Sequence, residues 1–169
     1  MRERLVVTTL TAAAIVAVAS CTDDVGPTEV VQFTASLNKL NEPSGDTITS
    51  TATGTATLSA VGGVLVYRIE VVNLTDATVA HIHAPAPAGV NAGVKVNLCG
   101  TTTNGDPTSP PCAPGTVSGV LAAGVAGLTP AAGMSFDSLL VLLRNGQAYV
   151  NVHTAVHPGG EIRGQVERQ

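Results

Sequence analysis

Residues Gln147–Val166 read QAYVNVHTAVHPGGEIRGQV, and the rest of the chain is most easily understood from this stretch. Tyr149 to Thr154 alternate. Successive side chains of a strand point to opposite faces, so Val150 and Val152 share one face while Tyr149, Asn151 and His153 share the other. Pro158-Gly159-Gly160 then turns the chain, because proline presets φ and glycine accepts positive φ. Beyond the turn, Ile162, Gly164 and Val166 alternate with Glu161, Arg163 and Gln165. The pattern predicts strand, tight connection, strand, with His157 in the connection.

The four histidines fall in two places. His153 and His157 lie in this stretch; His81 and His83 lie in Thr78–Pro85, TVAHIHAP. Two residues apart on a strand, His81 and His83 project from one face, with Ala80, Ile82 and Ala84 on the other. Strand-borne imidazoles suit Zn²⁺ or Cu²⁺. One reading is therefore a copper or zinc site of His81, His83 and His153, with His157 or Glu161 as a fourth or supporting group. The other is structural: the rings pin loops by bonding carbonyls, Tyr149, Asn151 and Glu161 supply partners, and Glu161 pairs with Arg163 across strands.

AHIHAPAPAGVNAG followed by YVNVHTAVHPGGEIRGQ resembles the CHRD domain, a family named for its repeats in animal chordin and common in exported bacterial proteins. The likeness runs from about Val31 to Glu167. It implies an antiparallel β-sandwich of Greek-key or immunoglobulin-like type and no enzymatic activity. In chordin it implies association with secreted protein ligands. The family's Glu-Val-Pro-Pro run is replaced here by Asn41-Glu42-Pro43-Ser44, so no family role passes to Glu42. The H-x-H also resembles a strand motif of copper/zinc superoxide dismutases, over only three residues. Such a pair of metals needs further His and Asp ligands that the loop after Pro85 does not contain.

Composition agrees with a β domain. Charged residues make up 12% of the chain and aromatics 2%, with no Trp, so packing must come from small and β-branched side chains. Net charge is −4 with no basic run, which excludes nucleic acid as a partner. Val64–Val72 (VLVYRIEVV) is the clearest strand, with Leu65, Tyr67, Ile69 and Val71 on one face. Gly62-Gly63 should join it in a hairpin to a strand within Thr49–Ala60. Val30–Leu40, Thr78–Ala84, Val94–Leu98 and Gly115–Ala123 read as further strands. Phe136, Leu139, Leu140 and Leu143 recur at the helical period. This predicts one short helix near the C-terminus, N-capped by Ser135 and ended by Gly146.

The N-terminus reads as a targeting segment. Arg2 and Arg4 precede an apolar run, Leu5–Val18, too short for a stable span. Val18-Ala19-Ser20-Cys21 resembles a bacterial lipobox, which makes residues 1–20 a signal peptide, Cys21 the lipidation site and residues 21–29 a tether to the domain at 30–169. The expected address is extracytoplasmic, lipid-anchored to an outer membrane or cell surface. Thr22 at the next position gives no inner-membrane retention signal. Cys99 and Cys112 then remain as a pair in an oxidising compartment and read as a disulfide. No nucleophile elbow is present. The reading is an exported, membrane-anchored interaction module without catalysis, for an unidentified extracytoplasmic ligand. Its alternative is a copper/zinc-binding protein, with superoxide dismutase-like redox chemistry a distant third.

Overall fold

A computed structural model describes residues 29–100, 109–113, 118–126 and 133–169. The expected signal peptide at residues 1–20, Cys21 and all of the expected tether at 21–29 but its last residue lie outside the described residues. The described residues form nine strands and one α-helix: β1 (Val31–Asn38), β2 (Thr53–Val61), β3 (Val64–Val72), β4 (Ala77–His83), β5 (Val94–Gly100), β6 (Gly119–Ala126), α1 (Phe136–Arg144), β7 (Tyr149–Thr154), β8 (Ile162–Gln165) and β9 (Glu167–Arg168). The sheet order is β5-β4-β7-β8-β1-β2-β3-β6, with β9 beside β1. All pairings are antiparallel.

The mainly β, antiparallel class with a single C-terminal helix is what the structure shows. The strands form one continuous sheet that nearly closes like a barrel, in place of two separate stacked layers. The reason lies at the sheet edges, β5 and β6. The Tyr67 hydroxyl on β3 donates to the Leu98 carbonyl on β5. Gly100 N–H donates to Pro110 O at 2.8 Å, and Ala113 N–H to Leu121 O on β6 at 2.9 Å. The Cys99–Cys112 disulfide clamps the same connection. Residues 109–113 thus stitch one edge to the other and leave little of either open to a foreign strand.

The β3 alternation is realised as predicted: Leu65, Tyr67, Ile69 and Val71 are all buried. Gly62 and Gly63, at φ 56° and 80°, form the two-residue turn that joins β2 to β3. Positive φ at both positions matches the twist of a hairpin and suits glycine. The core is filled by small and branched side chains, among them Ala35, Leu37, Ala56, Leu58, Ile82, Val150 and Val152. At Gly164 a Cβ would sit 2.3 Å from the Ser36 carbonyl oxygen, so β8 can approach β1 only without a side chain.

Helix α1 is capped as expected. The Ser135 hydroxyl accepts from Ser138 N–H at 3.2 Å, and Gly146 follows the last turn at φ 64°. Leu139 and Leu143 face the core. Strand bounds differ from the sequence reading for local reasons. β2 begins at Thr53 because the Ser50 hydroxyl accepts from Ala52 N–H at 3.0 Å and donates to Glu161 at 2.5 Å, which draws the chain out of the ladder. β1 stops at Asn38, whose side chain accepts from Asn41 N–H at 3.2 Å and starts a 3-10 turn over Lys39–Asn41.

The disulfide spans a separation of 13 residues. A Cys99→Ala/Cys112→Ala double variant should lose about 3 kcal/mol of stability by loop closure alone. Urea denaturation at pH 7 checks this. An unchanged midpoint would mean that the edge contacts hold without the bond.

Candidate functional site

The alternation of β4, β7 and β8 splits their side chains between two layers. Ala80, Ile82, Val150, Val152 and Ile162 enter the apolar core. The opposite face carries His81 and His83, then Tyr149, Asn151 and His153, then Arg163 and Gln165. Register sets His83 opposite Tyr149 and His81 opposite Asn151. It sets Tyr149 opposite Gln165 and Asn151 opposite Arg163. This second face is buried as well, apart from the half-buried Gln165, so the fold contains a small polar layer beside its apolar one.

Three imidazoles meet in that layer. His81, His83 and His153 are 4%, 8% and 8% exposed. One nitrogen from each lies within 4.8 Å of the others. His81 Nδ1 and His153 Nε2 are 3.4 Å apart. Imidazole nitrogens bound to one ion at about 2.0–2.1 Å sit roughly 3.3–3.5 Å from each other. One edge of the triangle matches that spacing, which is also that of an N–H···N hydrogen bond, and the third nitrogen lies within 4.8 Å of both.

Two rings are oriented by the backbone. His83 Nδ1 lies 2.8 Å from Ala92 O, and His153 Nδ1 lies 3.0 Å from Pro158 O. A carbonyl only accepts, so both Nδ1 atoms carry the proton and both Nε2 atoms present a lone pair. His83 Nε2 is buried without a hydrogen-bond partner. Metal-bound histidines commonly hold their second nitrogen this way. His153 Nε2 then accepts from His81 Nδ1–H.

Aromatic stacking fixes the third side. The His83 ring lies parallel to Tyr149, with centroids 4.8 Å apart and 2° between planes. The Arg163 guanidinium sits 3.7 Å from the centre of the same Tyr149 ring. Arg163 is 1% exposed and donates to Asn91 Oδ1 at 3.0 Å and Val90 O at 2.9 Å. Tyr149 Oη accepts from Ala92 N–H at 3.1 Å. Arg163 and Tyr149 therefore hold the segment 90–92 whose carbonyl orients His83.

Not all the expected residues join this group. His157 is not in the three-imidazole group; its backbone N–H donates to Thr154 Oγ1 at 3.0 Å and its carbonyl accepts from Gly160 N–H, so it serves the turn. Glu161 accepts from Ser50 Oγ at 2.5 Å and Thr154 Oγ1 at 2.6 Å, which ties β7 to the 50–52 segment. The cross-strand pair expected between Glu161 and Arg163 gives way to these bonds and to the Asn91 and Val90 contacts of Arg163. Adjacent-but-one along the chain, the two residues had only proximity in sequence to recommend them. Tyr149 and Asn151 do lie beside the rings.

Two buried polar residues had no clear signal in the sequence. Glu42 approaches from the 3-10 turn; burial pushes its carboxyl above the usual range, against the opposing effects of Arg163 and an Asn151 hydrogen bond. Asn97 on β5 pairs in register with His81, and its Oδ1 is buried without a partner. Of six such orphaned side-chain atoms among the described residues, five belong to Glu42, His83, Asn97, Asn151 and Gln165, in or against the polar layer. Buried polar groups are normally satisfied, so this concentration sets the polar layer apart from the rest of the described interior. A cleft of about 510 Å³ lies next to this layer, lined by Thr34, Ser36, Asn38, Glu42 and Gln165 among others, but by none of the three histidines.

The rings are held neutral. Burial, then the neighbouring imidazoles, pushes His81 down to about 3. Burial, with smaller effects from His153 and Arg163, pushes His83 down to about 4, although its bond to Ala92 opposes this. Burial also lowers His153. An unfolded histidine takes up a proton near pH 6.5. Between that pH and the folded values the unfolded chain binds more protons, so stability is full above about pH 6.5 and falls as pH drops toward 3. Chemical denaturation of the metal-free protein from pH 7 to pH 4 should show this decline. His83→Phe, which keeps a ring against Tyr149 and cannot charge, should make it shallower. An identical slope in the variant would show that His83 is not held neutral.

No curated protein and no solved structure matches the chain. The CHRD domain profile matches residues 33–166, which covers β1 from Phe33 onward, β2 to β8, the helix and the whole polar layer, and ends before β9. The chain belongs to the CHRD domain family.

Proposed function

We propose that this chain is an exported, membrane-anchored β domain that holds one copper or zinc ion between His81, His83 and His153. One observation carries the reading: three buried imidazoles from two strands converge, two of them with Nδ1 committed to backbone carbonyls, and His83 Nε2 has no hydrogen-bond partner. Nitrogen donors of this kind suit both metals. His157 and Glu161 are left out of the ligand set. The anchored, extracytoplasmic address rests on the Val18–Cys21 lipobox and the charged, apolar leader. The Cys99–Cys112 bridge supports it, since disulfides persist in oxidising compartments.

CHRD membership favours a second reading, an extracellular-type interaction module with no catalysis. The two are compatible. The Pro85–Gly93 loop covers the polar layer through Val90, Asn91 and Ala92, so an ion beneath it would stiffen a surface that a partner could read.

The mature protein, stripped with a chelator and dialysed against Cu²⁺ or Zn²⁺, should retain about one ion per chain and melt at a higher temperature when loaded. His81→Ala, His83→Ala and His153→Ala should each abolish uptake, while His157→Ala should not. Equal, weak uptake by the wild type and the His83 variant would discard the site.

A further inference from the structure

The cleft beside the polar layer presents hydrogen-bond acceptors in a row along β1. We propose that it binds a linear polyamine, with Glu42 and Glu167 each taking an ammonium group and the methylenes lying between. None of the three histidines lines the cleft, so this site and the ion site stand or fall separately.

The row follows from the sheet. Thr34, Ser36 and Asn38 alternate along β1, so they share the face turned away from the buried Phe33, Ala35 and Leu37. Register sets Thr34 opposite Glu167 and Asn38 opposite Arg163, which brings Gln165 level with Ser36. Past Asn38, the 3-10 turn over Lys39–Asn41 leads to Glu42. Asn41 Nδ2 holds that turn on β8 by donating to Arg163 O at 2.9 Å. Thr34, Ser36, Asn38, Glu42, Gln165 and Glu167 all line the cleft of about 510 Å³, a size usual for a small-molecule site. One carboxyl group therefore stands toward each end of the row. The β1 span between them, Thr34 to Asn38, is about 13 Å at roughly 3.3 Å per residue.

The row presents oxygen. Backbone carbonyls only accept, so the bonds they receive fix which way each amide lies. Asn41 Nδ2 donates to Ser36 O at 3.1 Å as well as to Arg163 O. Gln165 Nε2 donates to Ala86 O at 2.9 Å and to Gly146 O at 2.6 Å. Each amide has spent both its N–H groups, and its carbonyl oxygen is what remains. Gln165 Oε1 and Glu42 Oε1 are buried without a hydrogen-bond partner, and Glu42 is 7% exposed. Among the described residues lining the cleft there is no lysine or arginine. Lys39, on the same 3-10 turn, donates instead to Ile48 O at 2.8 Å. Arg163 acts on Glu42 through space, but its guanidinium is committed to Asn91, Val90 and the Tyr149 ring.

Acceptors short of donors call for a ligand made of donors. An ammonium group has three N–H donors and no acceptor, and its bonds to carboxylates are charge-assisted. A polyol would bring acceptors along with its donors, and an anion would bring acceptors alone. Two ammonium groups joined by methylenes match two carboxylates along a strand, and Leu40 and Ala88 add apolar lining for the methylenes.

The test is calorimetric titration of the metal-free mature protein at about 0.15 M salt, where diffuse surface attraction is screened. Spermidine should bind with a Kd of about 1 mM or tighter. Ethylenediamine, too short to join the two carboxylates, should bind at least about tenfold more weakly, and uncharged octanediol should not bind. Glu42→Gln and Glu167→Gln should each weaken spermidine about tenfold. Ser36→Lys, which sets an ammonium of the chain's own within the row, should abolish spermidine binding. Spermidine no tighter than ethylenediamine, or an affinity unchanged in E42Q or S36K, would overturn the proposal. A tri-lysine peptide that binds more tightly than spermidine would overturn it too, by assigning the cleft to a protein partner's side chains. Should E42Q not fold, E167Q and S36K decide, since both positions are exposed.

Discussion

The antiparallel register of β4 against β7 is the constraint on which the rest depends. It sets His83 beside Tyr149, His81 beside Asn151, and His153 opposite Val79. A slip of β7 by one residue would send His153 into the apolar core and Val150 and Val152 to the other face, parting His153 from His81 and His83. Both faces of β7 and of the second half of β4 are buried, so the penalty for a slip falls on both layers at once. The two stretches that make the site come from distant parts of the chain, and only the sheet brings them together.

The polar layer is expensive to build. Its members are buried, several polar atoms have no partner, and a guanidinium is enclosed with them. Orphaned buried groups cost about 1–3 kcal/mol each. A fold of this size, made largely from alanine, valine and threonine, has little stability to spare. The closed sheet edges, the disulfide and the continuous apolar core on the opposite face supply the rigidity that keeps the layer intact. A bound ion would satisfy the His83 lone pair directly and draw the neighbouring rings into fixed positions.

Much of this was legible in the residues. Period-two alternation placed β3, β4, β7 and β8, and the Phe136-to-Leu143 spacing with Ser135 and Gly146 placed α1 almost to the residue. The shared face of His81 and His83 followed from their spacing. What could not be read was anything set by contacts remote in sequence. Glu42 reaches the layer only because the Asn38 cap folds a 3-10 turn back over β8, where Asn41 Nδ2 donates to Arg163 O at 2.9 Å. Arg163 and Glu161 looked like partners because they lie two apart on one strand. Each found a nearer partner from another segment, Asn91 and Ser50 respectively. His157 shares the stretch with His153 but sits in the turn, where its backbone is used and its ring is not part of the cluster. The near-closure of the sheet depends on Tyr67 and residues 109–113, and neither carries a local sign of it.

The most direct test of the central claim is X-ray absorption at the metal edge on the loaded mature protein. Three histidines sharing one ion predict a first shell dominated by about three nitrogen scatterers near 2.0 Å, with the multiple scattering typical of imidazole rings. The imidazole signature should persist in His157→Ala and lose about one ring in His83→Ala. A first shell of oxygen alone, or one identical in wild type and His83→Ala, would show that the rings do not share an ion.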